Sequence, residues 1–68
     1  MEETVGQIGQ IVEVQNGNAT VRIQLTRPAH TGVRGYWHVP GYRWIKSRGA
    51  FSKTALIHGF DTRPAVVA

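Results

Sequence analysis

Apolar residues in this chain come in short runs broken by scattered glycines, a pattern that predicts an all-β barrel or sandwich rather than a helical bundle. Ala19-Thr20-Val21-Arg22-Ile23-Gln24-Leu25-Thr26 alternates without a fault. Ala19, Val21, Ile23 and Leu25 should face a core, and Thr20, Arg22, Gln24 and Thr26 should face water. Upstream, Ile8 to Val14 is rich in β-branched residues, and Gln15-Asn16-Gly17-Asn18 lies between the two runs. Asn-Gly supplies the positive φ angles of a tight hairpin turn, so a first hairpin is expected over residues 8–26.

Residues 27–35, Arg-Pro-Ala-His-Thr-Gly-Val-Arg-Gly, read as a loop, with two arginines and a histidine able to serve recognition. A second hairpin is expected next, with Tyr36–Val39 and Tyr42–Ile45 as strands and Pro40-Gly41 at the turn, where Pro-Gly fits the centre of a type II turn. That register places Trp37, Val39, Tyr42 and Trp44 on a core face. Tyr36, His38, Arg43 and Ile45 then share a face that mixes aromatic, imidazole and cationic groups. Further on, Ser47 to Ala50 reads as a turn and Phe51–Phe60 as a strand or short helical turn. Leu56 and Ile57 are its expected core contributors, followed by a turn over Asp61–Pro64.

At 68 residues there is room for one domain, 1–68, expected to be a small SH3-like or OB-like antiparallel barrel of about five short strands. Residues 62–68 would form a loose tail or a short edge strand. The absence of cysteine excludes disulfides and thiolate metal sites. A chain this short must then rely on an unusually efficient core or on homo-oligomerisation, which would also cover exposed strand edges. The acidic start Met1-Glu2-Glu3-Thr4 is unlike a signal peptide, and no apolar run approaches a bilayer crossing, so a cytoplasmic protein is expected.

Charge adds the functional expectation. Eight Lys and Arg against four Asp and Glu give a net +4. The acids are Glu2, Glu3, Glu13 and Asp61, so residues 14–60 hold none while carrying seven cations. Six of the eight cations are arginine, whose planar fork of donors suits phosphate and stacks on bases. The expected partner is nucleic acid, RNA or DNA. The expected contacts are Arg22, Arg34, Tyr36, His38, Arg43, Lys46, Arg48 and Lys53, acting through phosphate contacts and stacking. Two other classes stay open: a protein-interaction or regulatory module docking on an acidic partner, and a small homo-oligomeric enzyme with a site shared between copies.

Gly6 to Val14 followed by Asn-Gly and Ala19 to Ile23 resembles a KOW-type element over residues 6–25: a glycine before a hydrophobic strand, a short turn, and a second alternating strand. The resemblance implies an SH3-like barrel of the sort found in ribosomal proteins and transcription elongation factors that contact RNA or other proteins. The chain departs from that pattern before the glycine, because Met1 to Gln10 has no basic residue.

No catalytic residue, cofactor or metal site is expected. Cysteine nucleophiles are absent, carboxylates are few, and His30, His38 and His58 lack metal-site spacing. The glycine pairs Gly6/Gly9 and Gly32/Gly35 lack the lysine and hydroxyl of a Walker-type loop. Gly32-Val33-Arg34-Gly35 has the bare form of a KH-type loop, but no helical pattern flanks it.

Overall fold

The computed structural model describes residues 2–67. The chain is all-β, with 55% of it in strands and no α-helix among the described residues. The strands are β1 Thr4–Val5, β2 Ile11–Asn16, β3 Ala19–Leu25, β4 Ala29–Thr31, β5 Trp37–Ile45, β6 Ala50–Phe51, β7 Leu56–Phe60 and β8 Ala65–Val66. They form one antiparallel, nearly closed barrel of the small SH3-like or OB-like kind. The main path runs β1-β4-β5-β3-β2-β8, and β6 and β7 also pair with β5. Eight strands replace the five expected because the barrel breaks its perimeter into short pieces, three of them two residues long.

The first hairpin forms as the alternation requires, with Asn16 opposite Ala19 and Ile11 opposite Gln24. The loop residues are Gly17 and Asn18, and of these only Gly17 takes a positive φ, 63°. Glycine at the first loop position is what a II′ hairpin needs. Val21, Ile23 and Leu25 of β3 meet Val12 and Val14 of β2 in the core, joined by Ala29, Trp37, Val39 and Phe60. Each large side chain buried there contributes roughly 1.5–3 kcal/mol, which is how a chain without disulfides holds together. Gly6, beyond β1, lies against Val66 of β8, and Arg63 pairs with Glu3, so the two ends of the sheet meet.

The second hairpin does not form. Pro40 and Gly41 lie inside β5, a single nine-residue strand, and both are buried. The Pro40 carbonyl accepts the Thr26 N–H at 3.1 Å. In an antiparallel strand the nitrogen of that residue faces the same neighbour. The β3–β5 ladder has already ended there at Leu25–Gly41, so the missing proline N–H costs no pairing. Gly41 is required by proximity: a Cβ at this position would collide with the Gln24 carbonyl oxygen. Proline and glycine thus mark the corner where β5 passes from β4 and β7 onto β3 and β6.

Three further expectations are corrected by this. Residues 27–35 are not all loop, since Ala29–Thr31 pairs with both β1 and β5 and only Val33–Gly35 forms a 3-10 turn. Tyr42 and Trp44 leave the core and become half-buried, because a continuous strand puts Trp44, seven residues after Trp37, on the opposite face. Leu56 and Ile57 belong to β7 but are 60% exposed, and the core position in that strand goes to Phe60 opposite Trp37.

Candidate nucleic-acid interface

The candidate site is built on the C-terminal half of β5. Side chains directly opposite one another in an antiparallel pair share a face. Glu13 is opposite Arg22, and Trp44 is opposite Phe51. The β3–β5 register, with Ile23 opposite Arg43, brings Arg22 beside Trp44. The outer face therefore carries a row Glu13–Arg22–Trp44–Phe51. Phe51 meets Trp44 edge-on, with centroids 5.0 Å apart and planes at 77°, and so braces the indole. Trp44 lines an open groove of about 680 Å³, with Arg22, Arg43, Lys46 and Glu13 around it.

Arg43 stands opposite the buried Ile23 but is itself exposed, because β5 has run past the core by this point. After Ile45 the chain turns through Lys46–Gly49, closed by Gly49 N–H to the Ile45 carbonyl at 2.9 Å, and returns as β6. Ser52 N–H then donates to the Arg43 carbonyl at 2.8 Å, which holds the segment leading to Lys53 beside Arg43. A second groove of about 470 Å³ is lined by Arg43, Arg48, Lys53, Leu56 and His58. His58 Nε2 lies 3.2 Å from the Gly41 carbonyl. Arg43 and Ile45 line both grooves, so the two adjoin along this stretch of β5.

Five of the eight expected contacts come together here: Arg22, Arg43, Lys46, Arg48 and Lys53. Arg22 is paired with Glu13 at 2.9 Å. Among the described residues no carboxylate pairs with the other four.

Arg34, Tyr36 and His38 are elsewhere, around the start of β5. His38 is opposite His30, and their rings stack with centroids 5.3 Å apart. Tyr36 meets His38 edge-on at 6.1 Å and lies across Gly59. The Glu2 carboxylate is 3.8 Å from His30 Nδ1, a buried nitrogen with no hydrogen-bond partner. Arg34 sits in the 3-10 turn with φ of 63°, the left-handed region that a non-glycine residue adopts at a cost of roughly 1 kcal/mol. His38 and Arg43 are five residues apart along one strand, about 16 Å, and on opposite faces. The mixed face of Tyr36, His38 and Arg43 therefore does not exist, since it depended on the hairpin fold-back at Pro40-Gly41.

Reading two strands where there is one also hid Trp44 and its brace Phe51. An unbroken alternation from Trp37 to Ile45 would have separated the two tryptophans. The register of the first hairpin already places Glu13 opposite Arg22.

Fold and site together define a small all-β barrel with one basic, aromatic-lined end. The chain matches no protein family, no curated protein and no solved structure. Among the described residues no three histidines or carboxylates converge as a metal-binding set, and no helix is long and apolar enough to cross a membrane.

Proposed function

We propose that this protein is a nucleic-acid-binding module that engages phosphates with Arg43, Lys46, Arg48 and Lys53 and stacks on Trp44. The observation that carries this reading is the co-location of four unpaired cations with a half-buried tryptophan at one end of β5. Of the four carboxylates, Glu13 lies in the Trp44 groove and is taken up by Arg22, and the other three lie away: Glu2 and Glu3 precede β1, and Asp61 follows Phe60 at the Trp37 end. An uncompensated basic face attracts a polyanion and releases its condensed counterions on binding. A fluorescence-anisotropy titration with labelled RNA and DNA at two salt concentrations tests this. Affinity should fall steeply as salt rises, and no binding at low salt ends the proposal.

A second reading is docking of an acidic protein partner. It draws on β7, which among the described residues pairs only with β5 and exposes Leu56 and Ile57, with Leu56 lining the groove that holds Lys53 and Arg48. Under that reading Ile57→Lys abolishes the association and leaves oligonucleotide binding intact.

A further inference from the structure

We infer that the ligand is single-stranded, and that one of its bases leaves its neighbours to lie on Trp44. The inference rests on the nucleic-acid reading above and narrows it to a substrate class. Trp44 does not project from the surface. It lies half-buried in a groove, between Arg22 on β3 and Phe51 on β6. A paired base in a duplex has both faces covered by its neighbours and cannot enter a recess to reach an indole. An unpaired base offers its π-face freely, and aromatic platforms of this sort are used for single strands.

The same geometry disfavours a duplex. Among the described residues there is no α-helix to enter a major groove. The ribbon that carries Trp44, β5–β6, pairs over only two residues of each strand, too little to present an extended face to a groove.

The shared stretch at Arg43 and Ile45 then sets the path of the backbone. Because both grooves share these two residues, a strand seated on Trp44 in the first groove continues over Arg43 into the second. Lys46 flanks the stacked base in the first groove, and Arg48 and Lys53 receive phosphates in the second. With four or five phosphate contacts, the slope of log affinity against log salt for a single strand is about −3.

The test compares a 12-nucleotide strand of mixed sequence, as RNA and as DNA, with a hairpin duplex carrying the same bases in its stem. Tryptophan emission and anisotropy are followed at equal salt. The single strand should bind at least about tenfold more tightly than the duplex and quench the emission. Trp44→Leu should weaken single-strand binding by about 5- to 150-fold, the range for losing one base stack, and leave duplex affinity unchanged. Trp44→Phe keeps a platform and should retain most of the affinity, which separates lost stacking from a disturbed fold. Equal or tighter duplex binding, or single-strand binding indifferent to Trp44→Leu, overturns the inference while leaving the basic surface standing. Failure of both ligands to bind at low salt removes the underlying reading instead.

Discussion

The two ends of strand β5 carry similar residue types and treat them in opposite ways. At the first end Trp37 is buried, Arg63 lies 5.4 Å over its ring, and that arginine is paired with Glu3. His30 and His38 stack on each other with Glu2 nearby. Aromatic and cation there are spent on each other and on closing the barrel. At the second end Trp44 is half-buried in an open groove and its cations Arg43 and Lys46 have no acid partner. Both tryptophans have an arginine paired with a carboxylate nearby, Arg63 with Glu3 and Arg22 with Glu13, so the contrast lies in the burial of the ring and in the further cations around Trp44 that no carboxylate pairs.

Replacing each tryptophan by alanine is the sharpest way to break this contrast. Trp37→Ala should lose about 3–5 kcal/mol of stability, enough to unfold a domain of this size, by leaving a core cavity. Trp44→Ala should lose no more than about 1–2 kcal/mol and show its main effect in oligonucleotide affinity. Urea denaturation of both variants checks the pair, and equal losses would erase the distinction. Gly41→Ala, at the corner joining the two ends, should cost about 1–3 kcal/mol, because the neighbour that must yield is the Gln24 backbone rather than a flexible side chain. A cost near zero would mean that β3 and β5 can part there freely.

The proposed binding end is probed by Arg43→Ala, expected to weaken single-strand affinity about five- to tenfold and to flatten the salt slope by about one contact. Arg34→Ala, at the opposite end, should leave that slope unchanged. For the structural end, Arg63→Ala removes an exposed ion pair and a cation over Trp37. It should lower the unfolding free energy measured in urea by no more than about 1 kcal/mol and leave binding alone. The smallest effect is expected from Glu13→Gln, which frees Arg22 and should raise affinity about two- to threefold at low salt. A decrease would show that Glu13 positions Arg22 rather than masking it.

What could be read ahead of the structure follows from how local each signal is. The β2–β3 hairpin was legible because its faces are set by neighbours a few residues away: Val21, Ile23 and Leu25 alternate, and Gly17 supplies the turn. Strand β5 was not, because Pro40-Gly41 is a turn by local preference and a strand corner only in the presence of β3 and β7. The same non-local cause exposes Leu56 and Ile57, since β7 crosses the barrel's end there and only Phe60 reaches the core. The acid-free stretch pointed to Arg43, Lys46, Arg48 and Lys53, and the structure places all four along two adjoining grooves at one end of β5. Their aromatic companion was misplaced, as Trp44 and Phe51 rather than Tyr36 and His38 stand beside them.

Strand β5 pairs with β3, β4, β6 and β7, four of the other seven strands. Once residues 1–36 have left the ribosome, the pairings available among them are the β2–β3 hairpin and the two-rung β1–β4 contact, and an isolated hairpin is marginal in water. Productive folding waits for Trp37–Ile45, and because most pairings then span long stretches of chain, it should proceed on the millisecond-to-second scale of small all-β domains. Until that strand arrives, Val12, Ile23 and Leu25 have no completed interior to enter, which makes the nascent N-terminal half the most aggregation-prone form of the molecule.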